Sequence, residues 1–181
     1  MSLEVLSTLA SVGTFVVIGA TAIAAVLQLQ HMRAANKVTS IQTYFSEYEG
    51  PELKEAFQFV RNELSTRLKD PSFCAELGGS VIDRNKHPEI AVCNFFDQWG
   101  LYYRDGVIDR ESFLRVNAGV INGFWRLLEP VIALQADPEK GNLSFQQFEY
   151  LTVQARRWLA RNPAGDYPEG EERIPLARPP L

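Results

Sequence analysis

The sequence predicts an all-α protein in which a single N-terminal transmembrane helix is followed by a small cytoplasmic helical bundle of four to five helices. Three observations predict this fold. The chain opens with a long uncharged apolar run, apolar residues then recur at helical spacing between Pro, Gly and Asp breaks, and no run of alternating β-branched residues marks a strand. The 181 residues, 46% hydrophobic and 22% charged, suffice for one folded domain with appendages.

The apolar run extends from Val5 to Gln30 without a charged residue. It exceeds the ~20 residues that a helix needs to cross a bilayer, and we expect residues 5–27 to contact lipid. One alternative is a cleavable signal peptide, since GATAIAA resembles a cleavage region. The run is longer than the ~7–15 apolar residues of a signal peptide, and no Lys or Arg precedes it, so a permanent anchor is favoured. The other alternative, a buried helix of a soluble core, is disfavoured because all faces are apolar.

The flanks of the apolar run predict its orientation. Glu4 precedes the run, whereas Arg33 and Lys37 follow it. Because positive charge is enriched on the cytoplasmic side, the N-terminus is expected outside and the remaining chain in the cytoplasm, as in a single-pass protein of the inner membrane. Two firm positive charges are fewer than the roughly four to eight of an anionic-lipid binding cluster, so lipid recognition by this stretch is not expected.

Small residues within the apolar run could allow two copies of the chain to associate in the membrane. Gly19, Ala20 and Ala24 would let two membrane helices approach closely, and Ala20 with Ala24 gives small-xxx-small spacing. Such residues are common in membrane helices, so a homo-oligomer is one expectation and a separate protein partner is another.

Four segments are assigned from these patterns. Residues 1–30 form the N-terminal transmembrane anchor, 31–49 a juxtamembrane helix continuing it, 50–161 the cytoplasmic helical domain and 162–181 a disordered tail. Helical spacing of apolar residues without a break before Gly50 predicts the continuous rod. The last segment contains five of the ten prolines and no apolar period, which is typical of disorder.

Breaks and apolar spacing divide the cytoplasmic segment into helices. They are expected from Pro51 to before Asp70, from Pro88, from Asp109, and from Ser144 to before Asn162. The stretch around Gly78 is interpreted as loop. The helix from Pro88 is apolar on more than one face and should be central. In the helix from Asp109, Pro130 should introduce a kink or end the helix near Glu129. The apolar stripe of that helix comprises Phe113, Val116, Val120, Phe124, Leu127, Val131 and Leu134.

The stretch RDGVIDRESF looks like part of a calcium-binding loop but lacks its ligands. With Gly106 at the sixth position, only Asp105 offers a carboxylate and Ser112 replaces the bidentate glutamate. A second near-match around Gly141 fails in the same way, so no calcium site is expected. Helix-start chemistry explains both stretches better, with Asp109 as an N-cap of the first.

The second stretch offers a capping box. Ser144 and Gln147 have the S-x-x-Q spacing, and Leu143 and Phe148 occupy the positions of a hydrophobic staple. These residues predict the start of the last helix.

Composition excludes several other classes of function. A net charge of -4 without a dense basic patch argues against nucleic acid as a partner. Cys74 and Cys93 lack metal or redox spacing and are expected to be free thiols in a reducing compartment, although one disulfide between them is an alternative. No metal, cofactor or catalytic motif is recognised. His31 and His87 are poorly placed to act together.

Asp97 is the acidic residue of most interest, because it lies among Phe95, Phe96 and Trp99 on the helix expected to be central. Buried carboxylates are generally paired, and we expect Asp97 to pair with Arg104 or Arg126 and fix helix packing. A catalytic role for Asp97 with Arg104 is the alternative.

The chain resembles an uncharacterised bacterial family, domain of unknown function 4760. The resemblance covers about residues 3–160. Its stretches are the charge-free N-terminal helix leading into LQLQHMRAANKV, then PELKEAFQFVRNEL, CNFFDQWGLYYRDGVID, FWRLLEPVI and LSFQQFEYLTVQARRW. It implies a membrane-tethered helical protein of unassigned activity and supplies no catalytic residues.

Three functions are therefore considered. The first is a non-enzymatic, membrane-anchored cytoplasmic module that binds a protein partner or self-associates. The second is an enzyme acting on a membrane-proximal small molecule or lipid. The third is an exported soluble domain, which would require cleavage near Ala25.

Overall fold

The computed structural model describes residues 3–79, 82–136, 144–167 and 170–175, and these are helical or irregular, with no strand. Two compact units are distinguished, Met1–Glu47 and Tyr48–Leu181. The seven helices within the described ranges are α1 (Leu3–Tyr48), α2 (Pro51–Asn62), α3 (Leu64–Arg67), α4 (Pro71–Leu77), α5 (Glu89–Arg104), α6 (Arg110–Gln135) and α7 (Gln146–Arg161). The predicted all-α fold is confirmed.

Helix α1 is continuous over 46 residues. Within it, Val12–Met32 is the one helical segment among the described residues that is long and apolar enough to cross a membrane, with a mean hydropathy of 2.1 and none of its surface buried. At ~1.5 Å per residue these 21 residues extend ~30 Å, which equals the thickness of a bilayer core. The predicted continuation of the apolar helix beyond residue 30 as one rod is present.

The segment after α1 is more divided than the sequence suggests. The helix that begins at Pro51 ends at Asn62, and Glu63, with φ of -120°, separates it from α3. Helix α4 was not predicted, because the stretch was interpreted as loop. Its signal is local: the Asp70 carboxylate accepts a 2.9 Å hydrogen bond from the Ser72 amide, and Pro71 occupies the first turn.

Helix α5 lies at the centre of the second unit, as its apolar residues on several faces predict. Its buried residues include Val92, Phe96 and Trp99. The core is aromatic, with the Phe96 ring stacked on Phe148 at 4.8 Å between centroids and 5.5 Å from Phe124. Burial of such large rings dominates the stability of a small helical unit.

Helices α5 and α7 approach each other closely at Gly100. A Cβ atom at this position would lie 2.6 Å from the backbone carbonyl carbon of Gln147. Only glycine allows the two backbones to come this near, so Gly100 sets the packing of α7 on α5.

Helix α6 runs through Pro130 to Gln135, which excludes an end near Glu129 and leaves a kink at Pro130 as the other predicted alternative. The predicted apolar stripe also divides between two faces. Phe113, Phe124 and Val131 are buried, whereas Val116, Leu127 and Leu134 are exposed. The core face is completed by Leu114, Ala118, Ile121, Trp125 and Leu128, which follow the same helical period one position away.

The connection between α5 and α6 confirms the helix-start interpretation of the calcium-like stretch. Gly106 has a φ of 72°, and the Asp109 carboxylate accepts a 3.0 Å hydrogen bond from the Ser112 amide as the N-cap of α6. Arg110 donates to the carbonyls of Tyr103 and Arg104, at 2.9 and 2.6 Å, and so satisfies the end of α5.

Helix α7 starts differently from the prediction. It begins at Gln146, and its N-cap is Phe145, with φ of 60° and no side-chain capping bond of its own, rather than Ser144. Leu143 and the glycine of the second calcium-like stretch lie outside the described residues. The oxygen that caps α7 belongs to the Asp97 side chain of α5.

The described residues of the predicted tail follow an irregular path with local contacts. Arg173 donates to the Ala164 carbonyl at 2.7 Å, its guanidinium lies 4.9 Å from the Tyr167 ring centroid, and Asp166 pairs with Arg115 of α6 at 2.8 Å. Residues 168–169 and 176–181 of the predicted disordered segment lie outside the described ranges.

Candidate functional site

A buried polar network lies where α4 meets the start of α5. The His87 and Glu89 side chains have no solvent-exposed surface. His87 Nδ1 is 2.8 Å from Glu89 Oε1, and Nε2 is 3.3 Å from Oε2 of Glu76, a half-exposed carboxylate of α4. Two carboxylates therefore bracket one sealed imidazole, and one of them reaches solvent.

The local sequence explains how His87 is placed. Asp83 forms an Asx turn, with its carboxylate accepting from the Asn85 amide at 3.0 Å, and its carbonyl accepts from the His87 amide at 3.1 Å. Pro88 then begins α5, so that Glu89 is the first helical residue. The sequence interpretation missed this pair. A histidine and a glutamate flanking the proline at a helix start were the available signal.

The surroundings of Glu89 favour its neutral form. Burial raises the pKa of Glu89, against the opposing effect of the hydrogen bond with His87. Its second oxygen, Oε2, is buried and has no hydrogen-bond partner among the residues that the structure describes, which a neutral acid tolerates better than a carboxylate. When Glu89 is protonated, its hydroxyl donates to Nδ1 of His87, and the Nε2–H of the ring donates to Glu76.

Apolar and sulfur groups enclose the network. The Phe73 ring lies 4.5 Å from the His87 ring, centroid to centroid, and the Arg67 guanidinium lies over the Phe73 ring, 5.2 Å from its centroid. Cys93, one turn after Glu89, is fully buried, and burial raises the pKa of its thiol far above the ordinary range. Cys93 is thus an unreactive core residue, and both Cys74 and Cys93 are free thiols.

Asp97 has a different partner from the arginines that the sequence suggested. It is half-buried, and its Oδ1 accepts hydrogen bonds from the backbone amides of Gln147 and Phe148, at 2.9 and 3.0 Å. These amides belong to the first turn of α7, which lacks a capping side chain at Phe145. Asp97 therefore caps a helix 50 residues away in sequence, and its negative charge faces the positive end of that helix.

The two arginines considered as partners of Asp97 lie on the surface. Arg104 is exposed, and its Nε donates to the neighbouring Asp105 carboxylate at 3.0 Å. Arg126 is exposed on α6 and lines a shallow groove of about 370 Å³ together with Arg61, Val120, Gly123, Phe124 and Leu127. The structure does not bring Asp97, Arg104 and Arg126 together as one site.

A larger cleft of about 910 Å³ adjoins Asp97. Its polar lining includes Arg84 and Asn94, both exposed, beside apolar groups such as Leu77 and Ile90. Among the described residues no carboxylate lies within ion-pair distance of Arg84. Asp97, Gln135 and Ser144 also line the cleft, so its polar groups comprise a guanidinium, a carboxylate, a hydroxyl and two side-chain amides.

Two further groups of residues are possible metal ligands and the small residues of α1. Within the described ranges no group of three His, Cys, Asp or Glu side chains is arranged to hold a metal ion. Gly19, Ala20 and Ala24 are all exposed on α1, and a Cβ added at Gly19 would meet no atom within 4 Å. Among the described residues, nothing covers this face of α1 at Gly19, Ala20 and Ala24.

Comparison with known proteins leaves the activity open. Neither the curated proteins nor the solved structures give a match to the chain. A family model described as "Domain of unknown function (DUF4760)" matches residues 15–158, which include most of α1 and all of the helices from α2 to α6. Since this match spans well over half of the chain, the protein belongs to the DUF4760 family.

Proposed function

We propose that the protein is a single-pass protein of the inner membrane whose helical unit is a cytoplasmic module for binding a protein partner or a second copy. The observation that carries this proposal is the exposed apolar segment Val12–Met32 inside a helix that continues for 16 more residues to Tyr48. An apolar helix with no buried surface is stable in lipid and unfavourable in water, because ~25 cal/mol is lost for each Å² of apolar surface left exposed.

Orientation follows from charge. Arg33 and Lys37 come directly after the apolar segment, and Glu4 precedes it. The positive-inside rule places residues from about 33 onward in the cytoplasm and the short N-terminus outside.

A binding role is favoured over catalysis because the titratable groups of the site serve the packing of the helices. The His87 imidazole is fully buried and contacts Phe73, Glu76 and Glu89, and Asp97 is occupied as a helix cap. Exposed apolar side chains on α6, in contrast, are available for contact with another molecule.

Fractionation and topology mapping test the membrane part of the proposal. The full chain should stay with vesicles in alkaline carbonate, and a reporter fused after Leu181 should be active only in the cytoplasm. Release of the intact chain by carbonate would contradict the anchor, and a reporter active outside would contradict the orientation. N-terminal sequencing of the purified protein would reveal cleavage near Ala25, the outcome expected of an exported soluble domain.

Native mass spectrometry of the detergent-solubilised chain tests self-association. If the membrane face mediates it, Ala20→Leu with Ala24→Leu should lower the dimer fraction, because larger side chains keep the two backbones apart. Val16→Leu with Val26→Leu is the matched control, since it changes apolar residues of the same helix without altering the small ones.

An enzyme or receptor for a membrane-proximal small molecule is the second candidate, favoured by the cleft, in which Arg84 has no carboxylate within ion-pair distance among the described residues. Such a site would take an anionic molecule. A thermal-shift screen of small carboxylates and phosphates against the wild type and Arg84→Gln tests it, with stabilisation expected only in the wild type. Equal shifts in both proteins would contradict binding at this cleft.

A further inference from the structure

Helix α6 carries a second apolar face, most of whose side chains are exposed to solvent, and only its last member, Leu134, also borders the larger cleft beside Asp97. The face, here called the α6 seam, comprises Val116, Val120, Gly123, Leu127, Pro130 and Leu134. Its members alternate at spacings of four and three residues, which is the two-per-heptad pattern of a helix that packs against another helix. The Val116, Leu127 and Leu134 side chains are 52, 39 and 41% exposed, so their apolar surface faces solvent.

The seam is concave at its middle. Around Gly123 lies the groove of about 370 Å³, whose lining is mostly apolar and whose sides are formed by Val120 and Leu127. A Cβ added at Gly119 or Gly123 would meet no atom within 4 Å. These two glycines leave a notch that can receive a protruding side chain. A flat lipid surface would leave the notch empty, so the shape favours an inserted helix.

Charge on both sides of the groove indicates what kind of helix fits. Arg61 of α2 lies on one side, with its guanidinium 4.9 Å from the Phe124 ring centroid, and Arg126 lies on the other. Among the described residues neither guanidinium has a carboxylate within ion-pair distance. Docking of a second copy on this face would bring four such cations together, which disfavours it.

The acidic residues of α6 lie on another side. Glu111 accepts a hydrogen bond from Trp158 of α7 at 2.9 Å, and Asn122 accepts one from Arg156 of α7. Glu129 is eighteen residues after Glu111, which is five helical turns, so it shares that α7-facing side. The seam itself therefore presents apolar groups between two guanidinium groups, of which Arg61 also donates a hydrogen bond to the Tyr48 hydroxyl at 3.3 Å.

We infer that the α6 seam is the docking groove for an amphipathic α-helix of a partner protein, with apolar residues at heptad spacing and acidic residues on both flanks. The inference rests on the proposed function as an interaction module and names the partner's chemistry. A bulky apolar side chain of the partner enters the notch at Gly123, and its carboxylates pair with Arg61 and Arg126.

Two synthetic helical peptides test the inference against the full chain in phosphatidylcholine nanodiscs. Both carry leucines at heptad spacing, and the flanking positions hold glutamates in one and lysines in the other. Fluorescence anisotropy should show the acidic peptide binding at least about tenfold more tightly than the basic one. In the double variant Arg61→Glu with Arg126→Glu the preference should reverse.

Further variants locate the contact. Gly123→Leu fills the notch and Leu127→Asp places a charge in the groove, so each should weaken binding of the acidic peptide by about tenfold or more. Val107→Asp is the matched control, because Val107 is 61% exposed but lies in the α5–α6 connection. Circular dichroism of each variant verifies that the helical fold is retained.

A lipid surface or a second copy of the chain could occupy the α6 seam instead, and evidence for either would overturn the inference. Protection of Val116→Cys from a water-soluble maleimide by phosphatidylglycerol nanodiscs alone would show that the seam lies on lipid. Loss of an oligomer in Leu127→Asp, without acidic-peptide binding by the wild type, would show that the occupant is a second copy. Equal affinity for the two peptides also contradicts the inference. Carbonate resistance and reporter orientation do not depend on the α6 seam. These two measurements therefore distinguish failure of the docking inference from failure of the proposed membrane anchor.

Discussion

Asp97 illustrates how one residue can be important for a reason that its neighbours in sequence do not reveal. Its surroundings of Phe95, Phe96 and Trp99 indicate partial burial, and burial requires a partner. The partner is the open first turn of α7, whose own cap position is occupied by Phe145 in a left-handed conformation. A carboxylate supplied from α5 satisfies the amides that Phe145 cannot.

Replacing this cap should therefore destabilise the protein. Asp97→Ala removes the acceptor for the Gln147 and Phe148 amides, and we expect the unfolding free energy to fall by about 1–2 kcal/mol. Asp97→Asn keeps an acceptor oxygen and should lose less. Urea unfolding of the full chain in detergent, followed by circular dichroism, measures both changes. Asn94→Ala on the same helix is the control, and a loss as large as that of Asp97→Ala would contradict the capping role.

The buried Glu89 makes stability depend on pH in a defined direction. Because burial raises the pKa of Glu89 above its ordinary value of 4.5, the folded state binds more protons than the unfolded state as pH rises past that value. The unfolding free energy should thus decrease with rising pH until the folded-state pKa is passed, by at most about 1.4 kcal/mol per pH unit.

Glu89→Gln tests this dependence, since the amide has the same shape and does not titrate. The variant should show a flatter profile above pH 4.5, and its stability relative to the wild type should improve as pH rises. Chemical unfolding over a pH series gives the profile. Glu52→Gln, at an exposed position of α2, serves as the control. Identical profiles for Glu89→Gln and the wild type would show that Glu89 does not titrate differently on unfolding.

At the scale of elements, the packing of α7 on α5 depends on the absence of a side chain at Gly100. A methyl group there would overlap the backbone of Gln147, so the helices must separate. We expect Gly100→Ala to lower the unfolding free energy by about 1–3 kcal/mol. Thermal unfolding monitored at 222 nm would measure it.

Gly119→Ala is the matched control for Gly100→Ala, because both glycines lie inside helices and only Gly100 meets another backbone. Alanine at Gly119 faces open space and should stabilise α6 by about 0.5–1 kcal/mol through helix propensity. Effects of the same sign at both positions would mean that close approach at Gly100 is not the decisive factor.

Helix α6 shows where element-level reasoning from sequence is limited. Apolar residues at helical spacing mark one continuous stripe through Val116, Phe124 and Leu134, yet the structure buries Phe124 and exposes the other two. When a helix has apolar residues on two sides, helical spacing fits either side equally well and cannot tell which one is buried. Contact with α5 and α7 decides which one becomes core, and the other becomes the α6 seam.

At the scale of the whole molecule, the apolar segment should control where the protein resides. Removal of residues 1–30 takes away most of Val12–Met32, and we expect the remaining chain to appear in the soluble fraction after cell disruption. Immunoblotting of soluble and membrane fractions measures this change. A full-length variant with Val17→Asp and Ile23→Asp is a second test. Two charges in the middle of the apolar segment should also prevent its insertion into the bilayer. Retention of both variants in membranes would contradict the anchor.

Local chemistry in the sequence determined the helical class, the uncharged apolar start, the long α1 and the N-cap at Asp109, because spacing, charge and capping act over a few residues. The family resemblance agrees with the match over residues 15–158. The break at Glu63 and the α4 helix are also local features, and the N-cap Asp70 followed by Pro71 is the sequence signal of α4.

Only the tertiary structure decided which residues are partners. The Asp97 cap joins residues 50 positions apart, and the contact of His87 with Glu76 joins residues 11 positions apart. The close approach at Gly100 involves a backbone carbonyl of another helix. No periodicity encodes these pairs, because each depends on how whole helices pack. The division of α6 into a buried face and an exposed one has the same origin: side-chain spacing is a property of one helix, whereas burial is a property of its neighbours.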